Sequence, residues 1–343
     1  MNLYLDKPNL YSLIKQLKSV ENYNLKSDCI RMIRNQLRLI YNFDKSEIDE
    51  MLFELWFNDL VQARGNKEEL DSLQVPPFPN RPISTSLIDN SDWSVVSSVY
   101  CCTDKNVQEL CREGRILISN DGGEINTLSE LFWGDYDFHK RYDLTHNGIS
   151  FGWKELKQDG HCLPCSDIMI VDRYLFNNHD CLNNNLYSLL LKLTDDVKAK
   201  VNIVIFVQRL GLSSVDFERY VKEISNLSNK LNVTIIVYPS SMEGDRKSKK
   251  IIPHDRFIIT NYRIFTSGPS FNEYFDLNGN LSTNGSYLDV DSLAKIEKYM
   301  FASGQIDFFQ KNVVDRLLNI CSPSSYIFGS WKSNLFSFKN CRK

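Results

Sequence analysis

The stretch DIMIVDRYLF, residues 167–176, decides how the chain is read. Ile168 to Val171 are apolar without alternation, and Asp172 and Arg173 close the run. An unbroken, β-branched run of this length fits a strand covered on both faces, as in a parallel sheet. VNIVIFV (201–207) and NVTIIVYP (232–239) repeat the pattern. The intervening NNLYSLLLKLTDDVK (184–198) and SVDFERYVKEISNLSNKL (214–231) carry helical spacing, with Phe217, Val221, Ile224 and Leu227 on one face of the second. RFIIT (256–260) and RIFTSG (263–268) follow as a hairpin. Strands alternating with amphipathic helices predict an α/β domain with a mainly parallel sheet flanked by helices, assigned to residues 161–343. Further helices are expected over 292–301 and 306–318.

Upstream, apolar residues at helical spacing predict three helices: Leu10, Leu13, Ile14 and Leu17 after Pro8; Ile30, Ile33, Leu37 and Ile40 after Ser27; Ile48, Leu52, Leu55, Trp56 and Leu60 after Ser46, ending at Gly65. Residues 1–74 are therefore expected to be a helical N-terminal region. VPPFPNRPISTS (75–86) crowds four prolines together, which neither helix nor sheet interior accepts, and predicts a linker over 75–92. In the mixed α+β segment 93–160, DKNVQELCREG reads as a helix ending at Gly114, RILISNDGGEI as a hairpin and TLSELF as a helical turn.

The bulk numbers bound the function. In 343 residues, 42% hydrophobic, there is material for two cores. The net charge of -3 excludes a chain that coats polyanions over its whole surface, so any nucleic acid must meet a local basic patch. Nine cysteines, an odd number, and the opening MNLYLDKPNL, with neither a basic nor an apolar leader segment, favour reduced thiols in a cytoplasm. No apolar run reaches the length of a membrane span.

HDRFIITNYRIFTSGPSFN (254–272) carries the chemistry. His254 is followed at +2 by Arg256, at +7 by Asn261 and at +14 by Gly268, then Ser270 and Asn272. This spacing resembles the HxKxxxxD and GSxN motifs of the phospholipase-D-like superfamily. IMIVDRYLF and HDRFI through GPSFNEYF resemble the degenerate phospholipase-D-like domain at the C-terminus of MIT-domain proteins, over residues 166–275 or so. The resemblance implies a phosphate pocket in which His254 is the nucleophile, Arg256 clamps the phosphate, and Ser270 and Asn272 donate to its oxygens. Asn261 stands where the family has Asp, and an amide orients an imidazole without stabilising its cation. Pro269 interrupts the GSxN spacing. The degenerate motif occurs once, so turnover through a phosphohistidine requires two His254 side chains meeting in a homodimer.

Three readings stay open: a phosphate- or phosphodiester-recognising protein, a metal-independent nuclease or phosphodiesterase, and a non-catalytic scaffold. In each, His254 is also readable as an ordinary histidine at a strand end. The first is expected, in a bacterial interaction or antiphage-defence setting, with a phosphate-bearing ligand such as nucleic acid and a protein partner on the N-terminal region. Arg246, Lys247, Lys249 and Lys250 precede the motif as a basic patch, and Asp172, Arg173 and Tyr174 lie at the ligand-binding edge of the sheet. Cys162, Cys165, His179 and Cys181 are rejected as a zinc set, because an extended 167–176 separates the two halves by about 30 Å. His139 and His146 are expected in loops or on the surface. No cofactor is expected.

Overall fold

A computed structural model describes residues 1–19, 23–41, 49, 93–101, 112–119, 122–144, 151–239, 256–282, 287–319 and 323–338. The third N-terminal helix, Gly65, the Pro-rich stretch, and His146, Lys249, Lys250 and His254 lie outside the described residues. Two compact units emerge, Met1–His139 with Ser292–Met300, and Lys140–Asp291 with Phe301–Lys343.

The first unit is α/β, with strands within the residues 1–74 that the sequence predicted to be helical. It opens on strand β1 (Asn2–Leu5), followed by α1 (Lys7–Ser19), α2 (Tyr23–Asn35) and β2 (Arg38–Tyr41). Then come α3 (Trp93–Val96), β3 (Val99–Cys101), β4 (Leu117–Ser119) and α4 (Glu124–Ser129). All three pairings are parallel, in the order β2-β1-β3-β4. Leu10, Leu13, Ile14 and Leu17 line the buried face of α1 as predicted, and the Asp6 carboxylate caps it by accepting from Asn9 N at 3.0 Å. Leu37 and Ile40 fall beyond α2, in β2 or just before it, because a helical spacing ran on into a strand too short to show its own period. The expected hairpin at 115–125 is instead strand β4 leading to α4, whose Glu124 carboxylate is buried against α1 and accepts from Asn9 Nδ2 at 2.8 Å and Ser12 Oγ at 3.0 Å. Gly114 has φ 70°, in the left-handed region, while residues 104–111 of the helix expected to end at it lie outside the described residues.

The second unit is built on an eight-stranded sheet. Its elements are β5 (His139–Asp143), α5 (Trp153–Gln158), β6 (Asp167–Val171), α6 (Ser188–Leu193), β7 (Val201–Gln208), α7 (Ser214–Leu227), β8 (Leu231–Tyr238), β9 (Arg256–Ile259), β10 (Arg263–Ser267), β11 (Tyr287–Ser292), α8 (Ile296–Phe309), α9 (Asp315–Leu318) and β12 (Ile327–Gly329). The order is β12-β8-β7-β6-β9-β10-β11-β5. β6, β7 and β8 run parallel, whereas β9 against β6, β10 against β9 and β12 against β8 are antiparallel. The sheet is therefore mixed rather than mainly parallel: after β8 the chain returns to lie beside β6 in the opposite sense. Every residue of β6 is buried, which is why its sequence does not alternate. Phe217, Tyr220 and Ile224 of α7 are buried, and Phe309 of α8 packs on Phe206 of β7 with ring centroids 4.5 Å apart. The two predicted tail helices are one helical run: α8 begins only at Ile296, because β11 occupies 287–292, and a π-helical turn (Gln310–Val314) joins it to α9.

Polar side chains close the amino edge of this sheet. Asp167, 1% exposed, accepts from Asn334 N (2.8 Å), Asn334 Nδ2 (2.7 Å) and Asn202 Nδ2 (3.3 Å), and Asn232 Nδ2 donates to Asn202 Oδ1 at 3.2 Å. The tail is thereby tied to β6, and burial raises the Asp167 pKa. Gly329 ends β12 at φ +104°, where an added Cβ would fall on the Val233 carbonyl oxygen. Gly211, at φ +83°, has open space around it. Gly329→Ala should therefore lower the urea-unfolding free energy by about 3 kcal/mol, and Gly211→Ala by about 1 kcal/mol. Equal losses in the two variants would mean that backbone strain alone, not the approach to β8, governs position 329.

Candidate functional site

Three features bring the motif residues together at the carboxyl edge of β6. Asp172 follows β6 directly, Arg256 opens antiparallel β9 beside it, and Ser267 ends β10 opposite Arg256. In open α/β sheets the carboxyl edge is where ligands are met.

Asp172 is the hub. The residue is 1% exposed. Oδ2 accepts from Ser270 Oγ at 2.6 Å and from Phe271 N at 2.8 Å, and Oδ1 accepts from Tyr174 N at 3.0 Å. Arg256 Nε lies 3.6 Å from Oδ1, an ion pair rather than a hydrogen bond. Burial pushes the Asp172 carboxyl up to about 6, with the Ser270, Phe271 and Tyr174 donors and the Arg256 charge opposing the rise.

Arg256 is fixed from several sides. Its Nη1 donates to the Gly268 carbonyl, Asp172 lies beside Nε, and its guanidinium carbon is 5.4 Å from the centre of the Tyr174 ring. Its remaining N–H groups have no acceptor among the described residues. With a side chain 21% exposed, the guanidinium is oriented but not used up. Arg173 stands 5.5 Å from the centre of the same Tyr174 ring. The tyrosine is half-buried, with both guanidiniums close to its ring.

Other expected contacts take structural roles. Ser270 gives its hydroxyl hydrogen to Asp172, so it supports the site from beneath and has none for a phosphate. Asn272, 1% exposed, donates from Nδ2 to Asn178 O at 2.5 Å, while its Oδ1 has no partner among the described residues. Asp172 is correspondingly a support for the arginine, since a carboxylate repels phosphate.

Asn261 is a correction. It sits in the tight turn between β9 and β10, at the opposite end of β6 from Arg256. Its Oδ1 accepts from Ser166 N (3.1 Å) and Asp167 N (3.3 Å), and its Nδ2 donates to Ser166 Oγ at 3.1 Å. Five strand residues at ~3.3 Å each put about 16 Å between it and Arg256, so it orients no group there. Arg141 of β5 repeats the His-x-Arg pattern behind His139, yet it forms two bonds to Asp289, at 2.6 and 2.7 Å, three strands beyond β9. His139 is exposed, as expected, and opens the edge strand β5. Among the described residues no His, Cys, Asp and Glu grouping could hold a metal ion.

The Gly268 carbonyl and the Ser267–Tyr274 pair, joined hydroxyl to hydroxyl at 2.5 Å, were not foreseen. A backbone acceptor leaves no residue signature. No known protein family matches this chain, and no curated protein does.

The raised Asp172 pKa has a defined sign. The folded state binds more protons than the unfolded state between about pH 4 and 6, so this group's contribution is complete below the lower value and lost as pH rises through the upper. The loss amounts to about 3 kcal/mol at pH 7. Urea-unfolding free energies of the wild type minus those of Asp172→Asn should therefore fall between pH 4 and 7. A flat difference would show that the buried carboxyl titrates normally.

Proposed function

We propose that the carboxyl edge of β6, β9 and β10 recognises a phosphodiester through Arg256, and that it binds without hydrolysing. The observation that carries this reading is the guanidinium itself: held by Gly268 O, Asp172 and Tyr174, with Nε buried beside Asp172, it keeps Nη2 unbonded among the described residues at the edge of the sheet. A planar fork fixed in advance loses little entropy on meeting a phosphate. Arg173 adds a second cation, and Lys249 and Lys250 shortly precede Arg256 in the sequence, where they add charge by sequence proximity.

Recognition is favoured over turnover because Asn261, at the motif position where the family has Asp, is spent on the far end of β6. The phospholipase-D-like resemblance, the nuclease activity of a homodimer and a defence role stand behind this reading as proposals of lower rank.

Bis(p-nitrophenyl) phosphate tests binding and hydrolysis together. Calorimetry should show Arg256→Ala weakening its binding at least tenfold, Arg256→Lys weakening it less, and no nitrophenolate should be released. Affinity should also rise as pH drops from 7 to 5, since protonation of Asp172 removes the charge that offsets Arg256 while the diester stays anionic. Unchanged affinity in Arg256→Ala would overturn the reading, and nitrophenolate release that His254→Ala abolishes would hand it to the hydrolytic rival.

A further inference from the structure

A second arginine is mounted on the same sheet edge in the same manner. Arg209 directly follows β7, is exposed, donates from Nη2 to Ser325 O at 2.6 Å, and holds its guanidinium carbon 5.7 Å from the centre of the Tyr326 ring. A weak contact from Nη2 to Ser214 Oγ, 3.5 Å, is its other bond, so Nη1 and Nε have no acceptor among the described residues. Like Arg256, it is a guanidinium tied to a backbone carbonyl and set over a tyrosine. Arg209 and Tyr326 line a hollow of about 310 Å³ with Gln208, Leu210, Val237 and Pro239. That volume is at the lower end of the range for small-ligand sites. Its polar members are Gln208, Arg209 and Tyr326, and Leu210, Val237 and Pro239 give it an apolar wall.

We infer that this hollow is a second contact for a single-stranded nucleic acid whose backbone runs along the carboxyl edge of the sheet, with a base against the apolar wall and the Arg209–Tyr326 pair, and a phosphate on Arg256. The inference rests on the phosphodiester reading of Arg256 and extends it to a polymer. The strand order β8-β7-β6-β9 places the hollow, between β8 and β7, about two and a half strand spacings from Arg256, or ~12 Å of sheet edge. A lone phosphate or a single headgroup occupies one of these positions. A polymer that repeats a phosphate and a planar base occupies both. Guanidinium and tyrosine faces are the surfaces on which unpaired bases stack without sequence preference. The first acidic group of α7, Asp216, is engaged by Ser213, accepting from its N at 2.9 Å and its Oγ at 2.7 Å, so it is held at the helix start.

The probe is a fluorescein-labelled single-stranded dT12, followed by anisotropy from 50 to 200 mM salt. Arg209→Ala and Tyr326→Ala should each weaken binding about tenfold with little change in salt slope, whereas Arg256→Ala should reduce the slope by about 0.7, the loss of one phosphate neutralisation. Arg209 is exposed, so its replacement leaves the core intact, and thermal unfolding of the variants verifies that. Should Arg209→Ala bind dT12 as the wild type does while Arg256→Ala fails, the inference falls and the Arg256 reading survives. If neither variant changes dT12 binding, both fall. Preference for phosphatidylserine vesicles over dT12, with loss in Arg209→Ala, would overturn the nucleic-acid assignment in favour of a membrane surface.

Discussion

One buried carboxylate organises the carboxyl edge of the larger unit. Asp172 stands where β6 stops, and from there it gathers the hydroxyl of Ser270 and the backbone N–H groups of Phe271 and Tyr174, with the Arg256 guanidinium beside it. These partners come from three parts of the chain: the turn after β6, the start of β9 and the loop after β10. A carboxylate 1% exposed is costly to bury unless its oxygens are satisfied, so the segments that supply donors are constrained together. The position of Arg256 follows from this constraint as much as from its own strand.

The legible part of the fold is the part with long, uniform signals. β6, β7 and β8 are buried on both faces and read as unbroken apolar runs, and α1 and α7 carry enough turns for their buried faces to show. β1, β3, β4 and β12 have three or four residues each, too few for a period of two to stand out, and β2 was absorbed into the spacing of the helix before it. Strand direction was also hidden. Nothing in RFIIT tells whether it enters beside β6 in the same or the opposite sense, because that depends on how the chain returns.

The motif was legible as a neighbourhood and misleading as a list of roles. Spacing brought Asp172, Arg256, Ser270 and Asn272 into one place, since strand pairing converts residue offsets into proximity. The same offsets carried Asn261 to the far end, because a hairpin that starts at Arg256 has moved one strand length away by its turn. Which donor faces a ligand and which faces the protein is decided by burial, and Ser270, wholly buried, was settled by Asp172.

The two edges of the sheet are built on opposite principles. At the amino edge, Asp167, Asn202, Asn232, Asn261, Asn334 and the β6 backbone bond to one another, a closed network that fixes the tail and the β9–β10 turn. Each member there is spent on another, and removal of one leaves a buried polar group unpaired. At the carboxyl edge the donors outnumber their protein acceptors: Arg256 and Arg209 are each tied by one carbonyl and keep further N–H groups unused among the described residues. A guanidinium fixed at one end and open at the other is preorganised, and its carboxylate companion trades net charge for position. That trade weakens the long-range pull on any anion and sharpens the choice among those that arrive, which suits a chain of net charge -3 whose cations must act locally.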